Sequence, residues 1–285
     1  MIRSIAHRLR SLIGTRVGRS YSRTPEHILA QLAKNMAAGH PTMCNLGCGS
    51  RHHPDWINLD FHGDGSTVFP WDLQRGLPLP DRSCDVIYSS HAIEHFTRDG
   101  ARRFLTECRR VLKSGGTLRV VAPDLEGIAR AYLGCLDAAR SGTPGAADRY
   151  EWITIELLDQ LVRHRGGGEM LKYWAQESVP AEDFVAARVG TEYHRARTYW
   201  KGRRLPEHAL SANAVGQFRL GGEVHQWMYD SYSLGRFLSE CGYVDIHSCK
   251  ADESAILSFA SYGLDTEYDG STYKPDSFFI EAKVP

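Results

Sequence analysis

The chain has 285 residues and is 42% hydrophobic, enough for one large core or two modest ones. Its 34 basic and 34 acidic residues cancel, so no global field of the kind that draws nucleic acid is present. No apolar run approaches the ~20 residues that span a bilayer, and the start lacks the apolar stretch of a signal peptide. The seven cysteines are scattered and include no C-x-x-C pair, which fits unpaired thiols in the reducing cytoplasm.

Residues 1–20 place Ile2, Ile5, Leu9, Leu12, Ile13 and Val17 at helical spacing, with Arg3, Arg8, Arg10, Arg16 and Arg19 on the other face. Such a helix can lie peripherally in a membrane interface near anionic lipid. It also suits a transit peptide, or a helix packed on the folded domain. A second helix is expected over Pro25 to Ala38, with Thr24 as its cap and Gly39 as its end.

Thr42 to Leu46 reads as a first strand and Trp56 to Leu59 as a second. Between them Gly47-Cys48-Gly49 can turn sharply and approach a ligand closely, because the glycines lack Cβ atoms. Asp60 stands at the tip of the second strand, where a carboxylate can accept hydrogen bonds from a ribose diol. A dinucleotide is disfavoured. The third glycine of G-x-G-x-x-G is His52, and Asp60 follows Gly47 too soon for the usual spacing of about 20 residues. Pro54 would also interrupt the helix that cradles a pyrophosphate.

Thr67 to Trp71 reads as a third strand, closed by Asp72-Leu73. Asp85 to Ser90 is a fourth, with the apolar start of a strand buried on both faces. Residues 99–112 form an amphipathic helix stopped by Lys113 to Gly116, and Leu118 to Ala122 is a fifth strand. Strands and helices alternating at this rhythm predict a doubly wound, Rossmann-like parallel sheet. The rhythm then breaks. Helices are expected over Arg149 to Arg165 and Ala181 to Trp200, within a helical insertion spanning 141–222 that covers the substrate. A helix from Ser231 to Cys241 and strands Tyr243 to Ser248 and Phe278 to Lys283 close the chain.

The runs M-C-N-L-G-C-G, P-W-D-L, C-D-V-I-Y-S-S-H-A-I-E-H-F and L-K-S-G-G-T-L-R-V-V-A-P-D resemble the central half of the class I S-adenosylmethionine-dependent methyltransferases. They look most like the small-molecule enzymes often found with surface-glycan genes. The resemblance covers about 42–124 and resumes near the end. It implies a seven-stranded, mostly parallel sheet with an antiparallel C-terminal hairpin, and S-adenosylmethionine as cofactor. The methyltransferase domain would be 41–140 with 223–285, after an N-terminal helical segment at 1–40. By position it implies cofactor contacts at Asn45, Gly47, Cys48, Gly49, Asp60, Asp72, Leu73 and His91. Asn45 stands where the family has an acid, and Arg51 where it has a third glycine.

Methyl transfer to a hydroxyl requires removal of a proton, and a histidine titrating near neutral pH can take it. His95, His225 and His91 are the candidates. Their bland roles are tethering a loop or shaping a pocket. His91-x-x-Glu94-His95 also has the spacing of an inverted zinc motif, but it directly follows a strand, and no metal is expected. Asp124, after Pro123, either faces a ligand or caps the next helix. Residues 188–204 interleave arginines with Tyr193, Tyr199 and Trp200. They read either as a site for an anionic or lipid-linked saccharide acceptor or as a solvated helix face. No nucleic-acid partner is expected. The competing function is a non-catalytic methyltransferase-like binding or scaffold module.

Overall fold

A computed structural model describes residues 25–203, 205 and 211–285. The expected helix over 1–20, the cap Thr24 and Arg204 lie outside the described residues. Two compact units are present. The sheet unit holds residues 25–123, 229–271 and 278–285; the helical unit holds Asp124–Met228 and Thr272–Ser277. Among the described residues, no helix is long and apolar enough to cross a membrane.

The sheet has seven strands: β1 (Met43–Leu46), β2 (Ile57–Asp60), β3 (Val68–Pro70), β4 (Cys84–Ser90), β5 (Leu112–Pro123), β6 (Val244–Cys249) and β7 (Ser277–Lys283). Their order is β3-β2-β1-β4-β5-β7-β6. The first five run parallel, and β6 is antiparallel to β7. The expected doubly wound, seven-stranded sheet is therefore observed. One bound differs. β5 begins at Leu112 and not at Leu118, because the pairing jumps from Cys84↔Leu112 to Val86↔Thr117 and Lys113–Gly116, which follows the end of the helix, bulges out within the strand. The C-terminal pair is joined by the long segment 250–276.

Alternation along the strands divides the apolar residues between two faces. Cys44, Leu46, Ile87 and Leu118 pack against α1 (Glu26–Ala37), α2 (Arg98–Val111) and α9 (Ser231–Glu240). α2 starts where Thr97 Oγ1 accepts from Gly100 N, and it buries Ala101, Phe104, Leu105, Cys108 and Val111. On the other face, Met43, Trp56, Val86, Tyr88 and Val121 meet Ala251, Ile256, Phe259 and Leu264. A parallel pair is ordinarily joined by a crossover of about a dozen residues or more, usually a helix. Here residues 47–56 join β1 to β2 without one. The segment 250–271 covers the sheet face in place of that helix.

Arg119 of β5 holds this cover down. It is wholly buried. Its Nε donates to Asp265 Oδ2 (2.8 Å) and its Nη1 to Glu281 Oε1 (2.7 Å) and Glu253 O (2.8 Å). Nη2 donates to Lys250 O (2.9 Å), and the guanidinium lies 4.5 Å from the centre of the Phe259 ring. Tyr88 donates its hydroxyl to the other Asp265 oxygen. Burial pushes the Asp265 carboxyl upward even though Arg119 pulls it down.

The helical unit contains α3 (Leu125–Arg140), α4 (Ala146–Val162), α5 (Gly168–Trp174), α6 (Glu182–Val189), α7 (Thr191–Trp200) and α8 (Ala212–Leu220). Trp152, Tyr173, Trp174, Val185, Tyr193 and Trp200 form its core. The single helix expected over Ala181 to Trp200 is broken at Gly190, whose φ of 69° lies in the left-handed region. A Cβ there would sit 2.7 Å from Pro275 Cδ, so close packing fixes both the break and the glycine. The helix expected from Arg149 starts at Ala146 and ends at Val162. α3 packs on α4 through Ile128, Cys135 and Ile153, and the compact unit begins at Asp124.

Removing the Arg119 side chain leaves Asp265 and Glu281 as buried acids without their cation. Arg119→Ala should cost about 3–5 kcal/mol in urea unfolding; a loss within 0.5 kcal/mol, as is usual for surface changes, would show that the network does not hold the cover.

Candidate functional site

The carboxyl ends of β1 to β4 bring most of the expected residues together within the sheet unit. Gly47 N and Cys48 N both donate to Leu59 O, at 2.8 and 3.2 Å, so the glycine turn is bonded to the end of β2. Gly47 has φ 71°. A Cβ built on it would lie 2.8 Å from Ala92 Cβ, after β4, and 4.0 Å from Leu73 Cδ1, after β3. Glycine is required there because three strand ends converge. Cys48 is buried in the turn, and no disulfide is present among the described residues.

Asp60 is half-buried. Its Oδ2 accepts from Gly49 N (2.8 Å) and its Oδ1 from His62 N (3.1 Å). It therefore staples the glycine turn to the loop after β2. Each carboxylate oxygen retains further acceptor capacity, so the same group can also receive a ribose hydroxyl. Asp72 caps the turn Leu73–Arg75 by accepting from Gln74 N (3.0 Å), and Leu73 packs its half-buried side chain on the core.

Asn45 is wholly buried in β1. Its Nδ2 donates to Arg51 O (2.9 Å), and its Oδ1 meets no donor among the described residues. A buried acceptor without a donor is costly unless a ligand supplies one. An acceptor beside a glycine turn, with a carboxylate at the next strand tip, fits a ligand carrying both an ammonium and a ribose diol. S-adenosylmethionine carries both.

His91 takes φ 51°, rare for a residue with a side chain. Its N–H donates to Val121 O (2.9 Å), which locks the loop after β4 to β5. Its Nδ1 lies 3.4 Å from Oε1 of the wholly buried Glu94. Residues 93–95 form a single 3₁₀ turn that excludes His91, so His91 and His95 do not share an α-helix. His95 is half-buried in the sheet unit. His225 belongs to the helical unit, where it is buried and its N–H donates to Gln160 O (3.0 Å).

In the helical unit, much of the arginine patch is engaged internally. Arg188 pairs with Glu156 (2.6 Å), and Arg197 donates to Trp174 O (2.9 Å) and to Gln176 O. Arg203 lies 4.4 Å from the centre of the Tyr199 ring. These contacts leave less free charge for an anionic acceptor than the sequence predicts. Asp124 makes no side-chain cap to α3, and its N–H donates to Asp276 O (2.9 Å). The Asp276 carboxyl is pushed up to about 7, first by burial and then by Glu156. Sequence reading missed Asp276; an acid immediately before the last strand was its only signal.

A family model described as a methyltransferase domain matches residues 45–120. This stretch contains the glycine turn, Asp60, Asp72-Leu73 and the His91–His95 loop. A relative from Mycolicibacterium smegmatis, a probable S-adenosylmethionine-dependent methyltransferase, is 32% identical over 34% of this chain and 43% of its own length. The chain thus spans less than half of that relative. Among solved structures, an Archaeoglobus fulgidus SAM-dependent methyltransferase is 12% identical, covers 91% of this chain and 94% of its own, and has a TM-score of 0.37. The magnesium protoporphyrin IX methyltransferase of Synechocystis with bound SAH is 11% identical, covers 98% and 94%, and has a TM-score of 0.38. The matched stretch is thus similar to a methyltransferase domain.

The backbone of His91 offers a check on the site's geometry. At a positive φ, glycine is relaxed and alanine is not. His91→Gly should be more stable than His91→Ala by about 1 kcal/mol in chemical denaturation; equal stabilities would place His91 in an ordinary conformation.

Proposed function

We propose that this protein transfers a methyl group from S-adenosylmethionine to a small-molecule acceptor, through a hydroxyl of a saccharide or a lipid-linked glycan. The observation that carries the reading is the stapled turn: Asp60 holds Gly49 N while keeping acceptor capacity toward a ribose. Asp60 would take the ribose hydroxyls, Leu73 would lie against the adenine, and Asn45 Oδ1 would accept from the ammonium. Gly47, Cys48 and Gly49 would form the floor, and His91 would close the side next to β4. Bound S-adenosylmethionine supplies an already activated methyl group on a sulfonium.

What the chain's own residues add is alignment and removal of a proton. His95 and His225 are the candidates for receiving the acceptor's proton, and His91 is oriented by Glu94. An uncharged hydroxyl acceptor agrees with the internal pairing of Arg188 and Arg197, which argues against a strongly anionic one.

Calorimetry with S-adenosylhomocysteine tests the reading directly. The wild-type chain should bind, and Asp60→Ala should weaken binding ~10- to 100-fold, the worth of one or two charge-assisted hydrogen bonds. Labelled cofactor with a cell extract should then yield a labelled small molecule, and His95→Gln or His225→Gln should slow its formation by about 10²- to 10⁴-fold for whichever is the base. Absence of binding would refute the reading. Binding without transfer to any component would favour the non-catalytic module.

A further inference from the structure

The residue at the third position of the glycine motif is Arg51, a long cation where only a small residue would be needed for close approach. Its side chain reaches away along the chain to the segment that covers the sheet. Nη2 pairs with Glu267 Oε2 at 2.9 Å and donates to Thr266 O at 3.3 Å. Its backbone carbonyl accepts from Asn45 Nδ2 at 2.9 Å. One residue thus joins β1, the loop 47–56 and the cover. Around it the contacts continue. Tyr262 meets His53 edge-on at 5.0 Å and Trp56 at 5.4 Å between ring centres. Thr266 and Glu267 directly follow Asp265, which Arg119 and Tyr88 fix in the core.

These contacts form a continuous path. The buried Arg119 fixes Asp265; Asp265 places Thr266 and Glu267; these hold Arg51; and Arg51 holds the connector that carries Gly47, Cys48 and Gly49. Without a helix after the glycine turn, the connector has no regular structure of its own to set the turn's shape. We propose that Glu267 is a positioning residue for the cofactor: through Arg51 it holds the glycine turn in its binding form, in place of the helix that this short connector lacks. The inference rests on the cofactor reading above. It assigns to the C-terminal segment a role in a site otherwise built from residues 45–95.

The pair is partly shielded, with side chains 24% and 22% exposed, so its removal is felt more than that of a fully solvated pair. The test has two arms on the full chain. In the first, calorimetry at 25 °C compares S-adenosylhomocysteine binding to wild type, Glu267→Gln, Arg51→Gln and the double variant. Each single change should weaken binding about five- to tenfold. The double variant should be no weaker than either single one, and the charge-exchanged pair Arg51→Glu with Glu267→Arg should recover part of the loss. In the second arm, hydrogen exchange of the ligand-free chain should show faster exchange at 47–56 in Glu267→Gln, with β4 and β5 unchanged.

Unchanged affinity with a lowered melting temperature would reduce the pair to a structural contact and overturn the proposal. Fully additive losses would also overturn it. If the wild type binds no S-adenosylhomocysteine, the cofactor reading fails, and the exchange arm still decides whether Glu267 fixes the turn. Unchanged exchange at 47–56 would show that it does not.

Discussion

A buried arginine governs this fold. Arg119 stands in the middle of a parallel strand, wholly enclosed, where an unpaired guanidinium would be prohibitively costly. Asp265, Glu281, three backbone carbonyls, the Cys249 sulfur and two aromatic rings meet it there. Its desolvation therefore forces a particular path on a segment far along the chain. Residues 250–271 must lie across the sheet, because only that path supplies the partners. Breaking such a pair is costly even where forming it contributes little net stability. The network selects one arrangement of the cover against the alternatives.

That constraint reaches the site. The loop between β1 and β2 has no helix to shape it, and two acids compensate. Asp60 fixes the glycine turn from the β2 side through Gly49 N, and Glu267 fixes Arg51 from the cover. In the proposed function Asp60 would have two duties, toward the turn and toward a ribose, because a carboxylate can accept several hydrogen bonds. His91 adds a strained corner where β4 ends, held by its bond to Val121 O. Strain of this kind persists where surrounding bonds over-determine the backbone, and it tends to collect at ligand sites.

The sequence showed the sheet because its signals are local. Leu46, Ile57, Ile87 and Val120 sit in short apolar runs between turn residues, and the glycine pair with Asp60 marks the carboxyl edge. The candidate residues of 45–95 stood out for the same reason. Contacts between distant positions were not. Arg119 read as one polar residue in an apolar strand, and nothing local pointed to Asp265. Arg51 read as a departure from a motif and not as half of an ion pair. The break at Gly190 depends on Pro275, which periodicity near 190 cannot register. The arginines of 188–204 looked available because Glu156 and the carbonyls of 174–177 are invisible to composition.

The central claim is that the glycine turn, Asp60 and Leu73 together form one cofactor site within the sheet unit. A crystal structure of the chain with S-adenosylhomocysteine tests it most directly. The account predicts the ribose hydroxyls within hydrogen-bond distance of the Asp60 carboxylate, the adenine against Leu73, and the amino-acid end beside Asn45. A ligand bound elsewhere, or Asp60 turned away from it, would contradict the account.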